Sequence, residues 1–146
     1  MEEVLESRPR RWIDSLTSLR IEHHVPKPRK NRLREERIHN EVIVDAYGPE
    51  EQALGWYYYL GNKVRFPFSA RCMAAKVVSP LRKGETAEVR SLAPEDSCAH
   101  DMLVLIRWHG RNVAVPLSQL AANNADESTL QAIGDWHYWL AQGYCF

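Results

Sequence analysis

The sequence predicts an α+β domain: an N-terminal helical hairpin, then a small antiparallel sheet, then a closing C-terminal helix. Three observations carry that prediction. Apolar residues recur at helical spacing through residues 32–60 and again through 127–142. The stretch between them breaks into short β-branched segments separated by turn residues. Gly48-Pro49 and His109-Gly110 stand where a helical hairpin and a strand hairpin would have to turn. A chain of 146 residues, 45% of them apolar, has the size and composition for one core.

Residues 1–31 are poor in apolar residues and pass through the basic, proline-punctuated HHVPKPRKNR, so a flexible basic extension is expected there. Trp12, Ile13, Leu16 and Leu19 fall at helical spacing, but so short a helix is marginal alone. The domain proper is expected over 32–146. Its first helix, 32–47, places Ile38, Val42 and Ala46 in one row and Ile43 and Tyr47 in the next, with Arg34, Arg37 and Glu41 opposite. Pro49 opens a second helix with Glu50 and Glu51 in its first turn, where carboxylates suit the helix dipole. Gly61-Asn62 is the expected left-handed stop. The hairpin then carries the rings of Trp56, Tyr57, Tyr58 and Tyr59 on its inner surface.

Strands are expected at 69–78, 86–92, 102–108 and 111–116, the last two joined by the tight turn His109-Gly110. Four or five antiparallel strands of this length form either an SH3-like barrel or a strongly curled sheet. Asp126 is placed to cap a helix over 127–142, with Leu130, Ile133, His137 and Leu140 at core spacing. Gly143 ends that helix, leaving Tyr144 and Phe146 to fold back on the body.

Composition narrows function. Formal net charge is zero; residues 1–40 hold ten Lys and Arg against seven Asp and Glu, and the remainder nine against twelve. So small an imbalance gives little attraction to nucleic acid, which is not an expected partner. No apolar run approaches the roughly 20 residues of a membrane span, so a soluble protein with no membrane partner is expected. The opening MEEVLESRPRRW lacks an apolar leader, which points to the cytoplasm. Cys72, Cys98 and Cys145 are odd in number and widely separated, fitting neither a disulfide framework nor paired zinc knuckles. Phosphate-loop, dinucleotide, nucleophile-elbow and HExxH signatures are all absent, and no catalytic activity is expected. One nucleophile pairing stays open, Cys98 with His100 or His109; against it stands the ordinary role of cysteine as a small buried residue. His23-His24 in the extension reads as solvated, and His137 as a hydrogen-bonded core histidine.

Acidic residues gather in three places. Glu41 and Asp45 share a helix face four residues apart, with Glu50 and Glu51 just across the turn. Like charges at that spacing cost a few tenths of a kcal/mol, roughly, unless a cation lies between them. The same residues also have structural explanations: Glu50 and Glu51 can serve the helix N-terminus, and Glu41 can pair with Arg37. Glu95, Asp96 and Asp101 form a second group, and Asp126, Glu127 and Asp135 a third. An EF-hand is excluded, because a loop begun at Asp45 puts Tyr47 and Pro49 where oxygen ligands belong and no acid at its twelfth position.

The segments VIVDAYGPEEQALGWYYYLGNKVRFPFSARC (42–72), HDMLVLIRWHGRNVAVPLSQL (100–120) and AIGDWHYWLAQGYCF (132–146) resemble the CcbP-type calcium-binding proteins of bacteria. The resemblance spans about residues 38–146 in order. It implies an α+β domain without EF-hands that binds Ca²⁺ as an intracellular buffer or sensor. It matches Asp45, Glu50, Glu51 and Asp135 to acidic positions of that pattern; with Glu41 these are the candidate metal ligands. The chain departs from a strongly acidic calcium buffer in its neutral charge, in Arg107 and Arg111, and in Cys145. A second reading is an interaction module with an SH3-like barrel that no longer binds calcium, presenting Trp56, Tyr57 to Tyr59, Trp108, Trp136 and Trp139 to an unidentified protein partner. Those rings equally suit the core of a small domain.

Overall fold

The computed structural model describes residues 27–146; the readings made for residues 1–26, including Trp12 to Leu19 and the His23-His24 pair, lie outside the described residues. Helix α1 spans Arg32–Arg37 and is capped by Asn31, whose Oδ1 accepts from the Arg34 N–H at 3.1 Å. It continues as a wider π turn, Ile38–Val42, that buries both Ile38 and Val42. The helix expected to reach residue 47 therefore ends at Val42, whose carbonyl packs where a Cβ on Gly55 would sit. Asp45, at φ 56°, adopts the left-handed conformation that aspartate tolerates and helps turn the chain.

Helix α2, Pro49–Lys63, buries Ala53, Trp56, Tyr59 and Leu60. Gly61 and Asn62 stay helical, and the chain leaves through an extended Val64 whose N–H still bonds Leu60 O, so no left-handed stop is needed.

Five strands follow: β1 Phe68–Cys72, β2 Thr86–Leu92, β3 Leu103–Trp108, β4 Arg111–Pro116 and β5 Leu120–Asn123. They form one antiparallel sheet in the order β4-β3-β2-β1-β5. The edge strands β4 and β5 do not pair, so the sheet is open, the second of the two forms expected, and not a closed barrel. A bulge in β2 between Val89 and Ser91 supplies local bending against β3. The first strand is shorter than expected: it ends at Cys72, the Met73 N–H still bonds Gln119 O, and the residues beyond leave the sheet. The β3–β4 turn is as read: His109 and Gly110 take φ of 50° and 79°, the two left-handed residues of a tight hairpin, with Trp108 opposite Arg111.

Helix α3, Glu127–Ala141, starts at Asp126, whose carboxylate accepts from the Thr129 N–H at 3.0 Å and pairs with Arg65 at 3.0 Å. Its buried face differs from the expected stripe. Leu130 is exposed, while Ala132, Ile133, Asp135, Trp136 and Trp139 go inward. Trp56 sits among these rings, its centroid 5.0 Å from Trp136, 5.4 Å from Trp139 and 5.9 Å from Tyr59. Gly143, at φ 89°, sends Tyr144 back to stack on Trp139 at 5.8 Å, and Phe146 lies 5.4 Å from the same ring. Trp56, Tyr59, Trp136 and Trp139 are thus core, packed with sheet residues such as Ala70, Val89, Val104, Ile106 and Leu120.

Residues ahead of α1 also hold to α3. Gln142 Nε2 donates to Pro28 O at 2.8 Å, and the Asn31 N–H donates to the Tyr138 hydroxyl at 2.9 Å. Among the described residues no helix is long and apolar enough to cross a membrane.

His137 is half-buried and hydrogen-bonded, its Nε2 2.8 Å from Leu120 O. Burial lowers its pKa below the ordinary value of 6.5, partly offset by that hydrogen bond. The unfolded chain then binds a proton below about pH 6.5 that the folded chain resists, so stability present above that pH is lost as pH falls. Wild type should lose more melting temperature between pH 7.5 and 5.5, roughly spanning the histidine range, than His137→Gln; equal losses would show that the ring does not contribute.

Candidate functional site

Asp135 is fully buried where α1, α2 and α3 meet. Its Oδ1 accepts from Arg34 Nη1 at 2.6 Å and Arg37 Nη2 at 2.7 Å; its Oδ2 accepts from Arg37 Nε at 2.8 Å and the Tyr59 hydroxyl at 2.7 Å. Arg37 therefore grips both oxygens in a fork. Burial, then the hydrogen bond to Asp135, push the Tyr59 phenol well above its usual range, so it remains a donor. Asp135, expected among the metal ligands, is engaged instead as the acceptor of a buried ion-pair cluster. A metal ion there would have to displace two guanidinium groups.

The four hairpin acids are dispersed over different tasks. Glu41 lies 3.8 Å from Lys63 Nζ, and the expected partner Arg37 is committed to Asp135. Glu51 Oε1 accepts from the Tyr47 N–H at 2.9 Å and so fastens the turn to the start of α2. Among the described residues Asp45 and Glu50 make no side-chain hydrogen bond or ion pair, and both are exposed. Among the described residues, too, no three His, Cys, Asp or Glu side chains stand close enough together to hold a metal ion. The five candidates do not assemble into one site as the chain stands.

Glu50 faces other company. The first half of α2 lies against the short 3₁₀ turn Glu95–Cys98, and the two enclose a cleft of about 260 Å³. Ala53, Leu54, Tyr57 and Cys98 form its apolar lining, and Glu50, Glu95 and Asp96 supply carboxylates. Tyr58 donates to Glu95 Oε1 at 2.6 Å, and Tyr57 donates to Ala93 O at 2.8 Å, pinning the turn to the helix. The neighbouring acids register the negative field. The Tyr58 phenol is pushed up chiefly by its hydrogen bond to Glu95, and the Tyr57 phenol by burial and then by Cys98, Glu95 and Asp96. Burial, with Asp101 and Asp96, pushes up the Cys98 thiol. Its contacts are the backbone of Ala93 and Leu103, and it is only 1% exposed, the reverse of an activated nucleophile.

In the sequence Glu95 and Asp96 stand only as an acidic group with Asp101. Their acidity is plain in sequence; their position beside Glu50 depends on how the loop after β2 returns to α2.

A family model described as "Calcium binding", the Calci_bind_CcbP family, matches residues 36–140. The chain belongs to the CcbP calcium-binding family. The matched range contains Glu41, Asp45, Glu50, Glu51, Glu95, Asp96 and Asp135. Two solved structures are similar over most of their length. One is described as "The crystal structure of Anabaena CcbP": 39% identity, covering 84% of this chain and 100% of that one, TM-score 0.74. The other is described as "Calcium binding protein in the calcium-binding form": 40% identity, 80% of this chain and 96% of that one, TM-score 0.72. No curated protein matches.

Proposed function

We propose that this chain binds Ca²⁺ without catalysing a reaction, as a cytoplasmic buffer or sensor. The ion is taken at the cleft between α2 and the 95–98 turn, by Glu50, Glu95 and Asp96, with Asp45 at the adjoining hairpin turn. Family membership carries the calcium reading, since a relative 40% identical over most of both chains is a calcium-binding protein in its calcium-binding form. The cleft supports the location: it is where carboxylates from separate elements, Glu50 on α2 and Glu95 and Asp96 on the 95–98 turn, line one cavity.

The donors suit calcium in kind. Ca²⁺ prefers roughly six to eight hard oxygens in a flexible geometry, which carboxylates, backbone carbonyls and water supply. In arrangement they are open, not converged, so ligation requires their side chains to rotate. Each is exposed, and rotation disturbs no core packing; Glu95 gives up its bond to Tyr58. With no net charge on the chain, affinity belongs at the weaker end, on the order of 10⁻⁵ to 10⁻³ M.

Isothermal titration of the metal-stripped protein with Ca²⁺ against a background of Mg²⁺ tests the reading. Heat that saturates in the micromolar to millimolar range is expected, and silence throughout it rejects calcium as the ligand of this chain.

A further inference from the structure

Residues 73–85, between β1 and β2, form a loop with a fixed base and an apolar tip. The Met73 N–H donates to Gln119 O at 2.7 Å and Gln119 Nε2 donates to Ala74 O at 2.9 Å. The Gly84 N–H donates to Cys72 O at 2.8 Å, and Leu81 is buried at 2% exposure. On that base Val77 and Val78 are 104% and 76% exposed, with Met73 at 39%. Single exposed apolar residues are commonplace, but two adjacent valines turned largely to solvent from an anchored loop gain little from the fold. Lys76, Arg82 and Lys83 flank them, all exposed and in no ion pair among the described residues. The loop's single acid, Glu85, accepts from the Arg82 N–H at 2.6 Å, and Asp101 outside the loop lies near enough to feel Lys76.

We propose that this loop docks on an anionic lipid bilayer, with Val77 and Val78 entering the headgroup boundary and Lys76, Arg82 and Lys83 on the lipid phosphates. The chemistry favours a bilayer over a protein surface. Protein interfaces draw most of their energy from aromatic and arginine anchors seated in pockets. This tip has aliphatic side chains exposed on a loop, which need no matching pocket in hydrocarbon. The expectation of no membrane partner rested on the absence of a spanning segment, which does not bear on surface adsorption.

Sedimentation with vesicles tests it, run in chelator so that calcium cannot bridge carboxylates to lipid. The full chain should pellet with phosphatidylcholine vesicles containing phosphatidylglycerol and not with phosphatidylcholine alone, and added salt should weaken the binding. Each cation contributes roughly fivefold near an anionic surface, so Lys76→Gln with Lys83→Gln should weaken partitioning by roughly 25-fold. Val77→Ser with Val78→Ser should weaken it by at least about tenfold at constant charge. All four side chains are exposed, so unchanged melting curves will show that the variants are folded. Wild-type binding by the valine variant would reduce the effect to charge adsorption and overturn the proposal. No sedimentation with either vesicle also overturns it, and leaves the loop to a protein partner.

Discussion

Replacing Asp135 by asparagine should lower the melting temperature by roughly 10 °C and leave calcium affinity unchanged. Removing one partner of a buried ion pair costs about 3–5 kcal/mol, because the other charge is left without its counter-ion. Here the cost falls at the lower end. Arg34 and Arg37 keep 30% and 19% of their side-chain exposure against 0% for Asp135, so the freed guanidinium groups can reach water. A loss of about 3 kcal/mol in a chain near this size shifts the melting temperature by roughly 6–12 °C, each kcal/mol counting for about 2–4 °C. Arg37→Met should destabilise comparably, and the double variant by much less than the sum, since the two side chains share one network. Additive losses would show that Asp135 and Arg37 act independently. A calcium affinity that falls in Asp135→Asn while the melting temperature of the ion-free protein holds would return Asp135 to the ligand set.

The same residue shows what the sequence could and could not reveal. Asp135 enters the candidate ligands because the family resemblance matches it to an acidic position, and nothing local says that Arg34 and Arg37, about a hundred positions earlier, will meet it. Local signals were legible. The Asp126 cap, the His109-Gly110 turn, the Gly143 stop and the aromatic closure by Tyr144 and Phe146 depend on neighbours a few residues away. Features set by distant partners were not: the π turn at Ile38–Val42 packs on Gly55, β5 pairs with β1, and Met73 and Ala74 bond to Gln119 where the chain leaves the sheet. The acidic site divides the same way. Glu50 is legible as a candidate because it stands just across the turn from Glu41 and Asp45, whereas its nearness to Glu95 and Asp96 is a product of tertiary packing.

Neutralising that second group should produce the largest change in ion binding. Glu95→Gln and Asp96→Asn each remove a unit charge while nearly preserving shape, and ligand charge is a main determinant of calcium affinity. Each should weaken binding by at least about tenfold, with Glu50→Gln similar and Glu41→Gln, whose carboxylate faces Lys63, within about twofold of wild type. The ion-free variants should be as stable as wild type or slightly more so, because carboxylates at one cleft repel, and a glutamine at 95 can still accept from Tyr58. Asp45→Asn is the informative contrast. Asparagine tolerates the same left-handed backbone, so this change tests the Asp45 charge without straining the turn. Melting curves with chelator and with excess Ca²⁺ read all of these at once, since a ligand bound only by the folded state raises stability by RT ln(1 + [L]/Kd). A calcium-induced shift that survives Glu95→Gln and Asp96→Asn but disappears in Asp45→Asn would move the ion from the cleft to the hairpin turn. A shift lost in Glu50→Gln, Glu95→Gln and Asp96→Asn alike requires carboxylates from both α2 and the 95–98 turn, and ion binding would then fasten those two elements together.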